Sequence, residues 1–418
     1  MPYTRRNFLS GSLQSLFSLA ALLAIPAERL SGAESALREA WQTRSGRLDI
    51  GSIQAKTLLD PNIIHLNTGT LGACLKHVFD LTQESWRHLE KNPAIVGFHE
   101  FTKLTDEKRR RAAVFLSADP DEVAFTRNTT EGMNLVAQAV GLKPGDEVLT
   151  TNHEHPGGYV GWKFVCEAVG AKWVQVDMNR PFQEPEEIVD SFRQKITART
   201  RVISVAHVLF TTGLRMPVQQ LSRLAHEHGL FMAVDGAQVP GMLHVNVKKI
   251  GCDSYASSSH KWLMAPKGSG LLYLRKGVQK QVRPLMLAGG MGSYTAYTGT
   301  RNFPALLGHG AAIEWQQVLG PAKIEKRVLA LSNYCYEKLT AFKSIRMLRP
   351  RRKDFDSGML AFALSDRKNR DFAKALQKRG IIVKVVPMLN AIRISTHIYN
   401  SEKDIDHLIR AMHSEKLS

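Results

Sequence analysis

The chain has 418 residues, of which 44% are hydrophobic and 22% charged, enough for a sizeable core and two domains. Its four cysteines, Cys74, Cys166, Cys252 and Cys335, lie far apart with no C-x-x-C pair, which excludes a zinc ribbon or a disulfide scaffold. The net charge of +18 includes the basic runs Lys108–Arg111 and Arg349–Lys353. No zinc-finger spacing or aromatic-basic signature accompanies them, so they read as solvated helix faces and loops, and no nucleic-acid partner is expected.

The first residues read as an address. Arg5 and Arg6 precede Asn7-Phe8-Leu9, then comes an apolar stretch from Leu16 to Ile25 and a small-residue site at Ser31–Ala33. The apolar stretch is shorter than the roughly 20 residues that span a bilayer. Residues 1–33 resemble a bacterial twin-arginine export signal, with a cytosolic amphipathic start as the alternative. The resemblance implies the twin-arginine translocation machinery as a partner and a mature chain that begins near Glu34, carries a charge of +16 and lies in the periplasm or outside the cell. That route carries folded proteins, which suits a protein that acquires a cofactor in the cytoplasm.

Further along, short apolar runs alternate with helical patterns between residues 120 and 275, the signature of βα units on a parallel sheet. Residues 122–126 predict a strand, and Met133, Val136, Ala137 and Val140 one face of the helix that follows. A strand over 147–151 leads to a helix closed by Gly170, and strands follow at 172–177 and 201–208. A helix capped by Gly229 and a buried strand running from 230 into a loop complete this series. From about Ala311 two long helical stretches lead into strands over 357–364, 381–386 and 391–396, and a last helix opens at Ser401.

Three of these stretches carry chemistry. Lys261 follows Ser257-Ser258-Ser259-His260 at a strand end, where a lysine forms a Schiff base with an aldehyde cofactor. Alone this is weak, because serine-rich turns ending in lysine are common. Asp235 stands upstream at the C-terminal end of an apolar strand, where open α/β sheets place ligands. A carboxylate there holds a pyridine nitrogen protonated, and the ring then draws electrons from a substrate's α-carbon, as pyridoxal phosphate does. Thr129 and Thr130 lie between a strand and a helix start, where hydroxyls and free amides suit a phosphate or, equally, a simple helix cap. His153 and His155 raise the possibility of a metal, but no further ligands and no H-E-x-x-H accompany them, so no metal is expected.

In this order and spacing the residues resemble the class V aminotransferase family of fold-type I pyridoxal-phosphate enzymes, from about residue 65 to residue 400. The resemblance implies an α/β fold: a large domain with a mostly parallel sheet flanked by helices, and a smaller C-terminal α/β domain. The expected division is an N-terminal arm over 34–74, a large domain over 75–305 and a small domain over 306–418. It further implies Lys261 as the Schiff-base lysine, Asp235 on the pyridine nitrogen, His155 stacked on the cofactor ring and Gln238 near its phenolic oxygen. Thr129, Thr130, Ser258 and His260 would hold the phosphate, with Gly299 and Thr300 supplied by a partner subunit in a homodimer. Arg393 matches the family's carboxylate-binding arginine, and Asn67 would join it at the substrate.

Two positions depart from the pattern. Phe210 stands where a polar residue is usual, so one hydrogen bond to the phenolic oxygen is expected to be missing, and Asn128 replaces a common glycine. The segment 383–391 lacks the nucleophilic cysteine that cysteine desulfurases carry shortly before the arginine, which argues against desulfurase chemistry. Residues 66–72, 90–98 and 154–156 and the Gly299–Asn302 stretch resemble the isopenicillin N epimerase-like branch instead. The leading expectation is an enzyme acting at the α-carbon of an amino acid or related amino carboxylate, aminotransferase or epimerase-like. A carbon–sulfur lyase and a non-catalytic exported binding protein on the same fold are the alternatives. A nicotinamide dehydrogenase is disfavoured, because no G-x-G-x-x-G stands between a strand and a helix.

Overall fold

The computed structural model describes residues 50–365 and 368–415, so the export signal expected over 1–33 and the arm's residues 34–49 lie outside the described residues. A seven-stranded sheet forms the centre of the larger domain. Its strands are β2 (Val123–Thr126), β3 (Glu147–Thr151), β4 (Lys172–Val176), β5 (Thr200–Ala206), β6 (Phe231–Asp235), β7 (Ser254–Ser258) and β8 (Gly270–Leu274). The order is β2-β8-β7-β6-β5-β3-β4, and β8 alone runs against the rest, pairing antiparallel with both β2 and β7. Strands β2, β3, β7 and β8 are buried along their whole length, the condition of a sheet covered on both faces.

The helices that cover it follow the strands. Helix α1 (Thr129–Ala139) follows β2, and α2 (Pro156–Val169) follows β3 and ends at Gly170, whose φ of +74° is the left-handed cap its position predicted. Helix α3 (Phe303–Leu319) buries thirteen of its seventeen residues, which places it inside the large core. The boundary expected after residue 305 therefore falls within a helix of the large domain. The changeover comes along α4 (Pro321–Thr340), where Ile324 and Val328 belong to the large core and Leu331, Cys335 and Leu339 to a second one.

That second core backs a four-stranded antiparallel sheet of order β12-β13-β10-β9: Lys384–Val386, Ala391–Ser395, Met359–Leu364 and Ile345–Met347. The single strand expected over 381–386 is two. Its first half, β11 (Ile381–Ile382), leaves this sheet and pairs in parallel with β1 (Ile64–His65), tying the N-terminal arm to the small domain. The last helix, α5 (Glu402–Ser414), opens on a capping box in which Ser401 Oγ accepts the Asp404 amide at 3.3 Å.

Candidate active site

Strands β2, β3, β5, β6 and β7 are mutually parallel, so the loops at their C-terminal ends share one edge of the sheet. Those loops carry Thr129 and Thr130 after β2, His155 after β3, Phe210 after β5, and Ser258, His260 and Lys261 at and after β7. Asp235 is the last residue of β6 itself. Such an edge is where open α/β sheets bind ligands. A cavity of about 610 Å³ lies there and is lined by all of these residues together with Gln238 and Arg393. The arm closes one side with Gly69 and Thr70, and the small domain another with Lys384–Met388.

Lys261 and Asp235 open on this single cavity. Burial pulls the Lys261 amine down to about 8, against the attraction of Asp235 and with help from the Arg393 charge. The amine is thus neutral far more readily than an exposed lysine, as attack on an aldehyde requires. Burial raises the Asp235 carboxyl, while the Ala237 amide, donating to Oδ1 at 2.8 Å, and the Lys261 charge favour its ionised form. The arm passes directly over the lysine backbone: the Gly72 amide donates to the His260 carbonyl at 3.0 Å. A Cβ at Gly72 would lie 1.8 Å from the Lys261 carbonyl oxygen, so no other residue fits there.

His153 and His155, two residues apart, are separated by the fold. His155 caps α2, its Nδ1 accepting the Gly157 amide at 3.0 Å, and its ring meets Phe210 edge-on at 4.9 Å. Burial, assisted by the Lys261, Arg393 and Lys384 charges, lowers its pKa to about 4, so the cavity receives a flat, neutral imidazole. His153 turns away, with Nδ1 2.7 Å from the Thr211 hydroxyl and Nε2 3.0 Å from Asn179 Oδ1.

At the start of α1, the Thr129 amide donates to Ser258 Oγ at 3.0 Å and the Glu131 amide to Asn128 Oδ1 at 2.9 Å. The Thr130 amide and hydroxyl remain for an anion at the helix N-terminus. Asn128, with φ near −174°, is an ordinary extended N-cap, which is why the position does not require glycine. His260 Nδ1 faces the Ser269 carbonyl at 3.2 Å and so carries a proton; only the imidazolium would offer a phosphate a second N–H. Burial holds the free ring neutral, at about 4.

Arg393 is fully buried, and among the described residues every partner it has is neutral. Nη1 donates to the Phe210 carbonyl at 2.9 Å, and Nη2 to Thr70 Oγ1 at 3.0 Å and to Asn67 Oδ1 at 3.3 Å, while Nε has no partner. Burial alone lowers its pKa, to about 10. A buried guanidinium without a carboxylate is costly unless a ligand supplies one.

Some expected contacts take other forms. Asn67 does not line the cavity; it stands behind, accepting from Arg393 and from the Thr70 hydroxyl at 2.7 Å. Thr70, which the sequence did not single out, is the arm residue at the cavity. Gln238 lines the cavity, but both ends of its amide serve the protein, donating to the Gly69 carbonyl and accepting from Trp262 Nε1, each at 2.9 Å. Gly299 and Thr300 lie outside the cavity wall of this one chain. Glu154 was also missed, although it precedes His155: burial pushes its carboxyl up to about 8, aided by Asp235, and it accepts from the Thr151 hydroxyl at 2.6 Å.

An amine, a buried acid and an open helix N-terminus around one cavity, at the C-terminal edge of a mostly parallel sheet, define a pyridoxal-phosphate enzyme of fold type I. The chain belongs to the aminotransferase class-V family, whose model matches residues 71–408. It is 28% identical over 396 residues to the isopenicillin N epimerase of Streptomyces clavuligerus, covering 89% of this chain and 97% of the relative. It is 30% identical over 339 residues to a probable cysteine desulfurase of Halalkalibacterium halodurans, covering 74% and 81% respectively. Among solved structures, a cysteine desulfurase of Escherichia coli superposes with a TM-score of 0.77 at 25% identity, covering 89% of this chain and all of that one. The cystine C–S lyase C-DES, at 21% identity and a TM-score of 0.77 over 84% of this chain and 97% of that one, shares the fold. Despite the desulfurase relatives, none of the four cysteines lines the cavity, and burial raises the pKa of each thiol.

Proposed function

We propose that the protein acts at the α-carbon of an α-amino carboxylate, by aminotransferase or epimerase-like chemistry. The observation that carries this reading is Arg393, a buried guanidinium bound, among the described residues, to neutral groups alone and lining the same cavity as Lys261 and Asp235. Its fork suits a carboxylate held by two parallel hydrogen bonds, which orients the α-carbon.

When bound, pyridoxal phosphate supplies an electron sink for the bond broken at that carbon. The chain's own residues supply the rest. Asp235 would hold a proton on the pyridine nitrogen, His155 would present its face to the ring, and Thr129, Thr130, Ser258 and His260 would hold the phosphate. Lys261 Nζ, its amine lowered to about 8, would take the α-proton near neutral pH. Transamination would deliver that proton to a different carbon, and epimerisation would need a second acid on the opposite face. Thiol attack on a substrate sulfur has no residue to perform it in this cavity.

The test is a panel of L- and D-amino acids with the loaded protein, following the cofactor's absorbance and analysing products. A 2-oxo acid marks transamination, the opposite enantiomer epimerisation, and ammonia with a released thiol or sulfide a carbon–sulfur lyase. Arg393→Lys should raise the half-saturating concentration about 100-fold, because an ammonium replaces a two-pronged donor. An absorbance indifferent to every amino acid would sink the reading and favour a binding protein without turnover.

Two further expectations belong here: export by the twin-arginine route, and a homodimer that brings Gly299 and Thr300 to a neighbouring site. The dimer is supported by exposed Ile95, Phe98 and Tyr297, with Phe98 meeting Tyr294 at 5.4 Å beside the segment that carries Gly299. Protein taken from cells should begin near Glu34 and have twice the mass of one chain in solution. An intact N-terminus confined to the cytosol, or a monomer, would count against the respective expectation.

A further inference from the structure

Among the described residues, the cavity wall holds one cation that the proposed mechanism does not use. Lys384 opens β12, and in the antiparallel pairing of β12 with β13 it stands directly opposite Arg393. Opposed residues of an antiparallel pair point to the same face, with Cβ atoms roughly 5 Å apart. Both side chains therefore face the cavity, and both line it. Their charges converge on one neighbour: after burial and Lys261, Arg393 and then Lys384 push the His155 imidazole toward its neutral form.

Like charges at opposed positions repel, and a nearby carboxylate normally offsets this. Here none does. The hydrogen-bond partners of Arg393 are a carbonyl, a hydroxyl and an amide. The Lys384 side chain has neither an ion-pair nor a hydrogen-bond partner among the described residues. Asp235 is the one carboxylate in the wall among those residues, and it acts on Lys261, whereas burial alone shifts Arg393. One α-carboxylate balances one of the two cations. The second stays unbalanced, and beside it Val385, Val386, Pro387 and Met388 continue the wall as an apolar strip.

We propose that Lys384 selects a substrate with a second anionic group: an α-amino acid whose side chain ends in a carboxylate. The α-carboxylate sits on Arg393, the methylene chain lies along the apolar strip, and the distal carboxylate meets Lys384 at the mouth. This rests on the reading of the protein as an amino-acid enzyme. Because Lys384 is exposed, the attraction weakens with salt, unlike that of the buried Arg393.

The experiment compares dissociation constants of the loaded protein for both enantiomers of aspartate and glutamate with those for asparagine and glutamine, their uncharged isosteres. Each is read from the change in the cofactor's absorbance, at low and high salt. One acidic chain length should bind about fivefold tighter than the amides, the scale of a partly exposed ion pair, and lose that advantage at high salt. Lys384→Ala should bring the acid-to-amide ratio to about one, and Lys384→Glu should reverse it, so that the amide binds tighter. Taking the ratio within each variant removes any difference in how much of it is folded or loaded. Acids and amides bound alike by the unaltered protein, or a preference that survives Lys384→Glu, overturn the role of Lys384 alone. If no amino acid moves the absorbance, the underlying reading fails and this one with it.

Discussion

Replacing Lys261 with alanine should abolish the cofactor's borohydride-sensitive yellow band and lower turnover by about 10⁴-fold or more. On the proposed reading two roles would end on one nitrogen: covalent attachment of the aldehyde and transfer of the α-proton. His155 and His260 are held neutral by burial, their pKa values near 4, and neither carries the nucleophilic amine. The pH dependence distinguishes this lysine from a merely structural one. Because burial lowers its pKa to about 8, the rate at which cofactor-free protein takes up the aldehyde should rise with pH and level off above that value. An exposed lysine, titrating near 10.4, would still be gaining rate well beyond it. A Lys261→Ala protein that keeps the band would show that another amine holds the aldehyde.

The second large effect is expected at Asp235. Asp235→Asn keeps the shape and, through its side-chain oxygen, the bond from the Ala237 amide, now 2.8 Å long. It removes the negative charge that would keep a pyridine nitrogen protonated, so the electron sink would weaken while attachment at Lys261 would continue. Turnover should fall about 10³-fold with the yellow band retained, a magnitude typical of misplacing one proton at a reacting centre. Losing this charge also affects the lysine, whose amine Asp235 draws upward. The Lys261 amine should therefore titrate lower in the variant. Unchanged turnover in Asp235→Asn would mean that the acid is a structural cap at the end of β6.

Much of the site was legible because it sits where local patterns end. Asp235 closes an apolar strand, Ser258 and Lys261 close another, and Thr129 and Thr130 open a helix, so strand and helix periodicity alone put them on one edge of a sheet. Periodicity could not separate His153 from His155. Only packing of the first against Thr211 and Asn179, and capping of α2 by the second, decides which ring reaches the cavity. Asn67 was expected at the substrate but stands one layer behind, because Thr70 turns back to occupy that place. The change in pattern read from about Ala311 lies inside helix α3, whose residues belong to the large core, whereas the two cores divide along α4.

By itself the sequence determined the class of fold and placed Asp235 and Lys261 at strand ends and Thr129 and Thr130 at a helix start, since each is written in short-range order: a strand end, a helix start, a spacing of a few residues. The tertiary structure alone decided which charges confront one another. Arg393 stands before Lys384 through the register of two strands, and meets Thr70 and Phe210 through contacts across hundreds of residues of chain. Register and long-range packing depend on how whole elements dock, and no local pattern records the distance between two side chains that come from different domains.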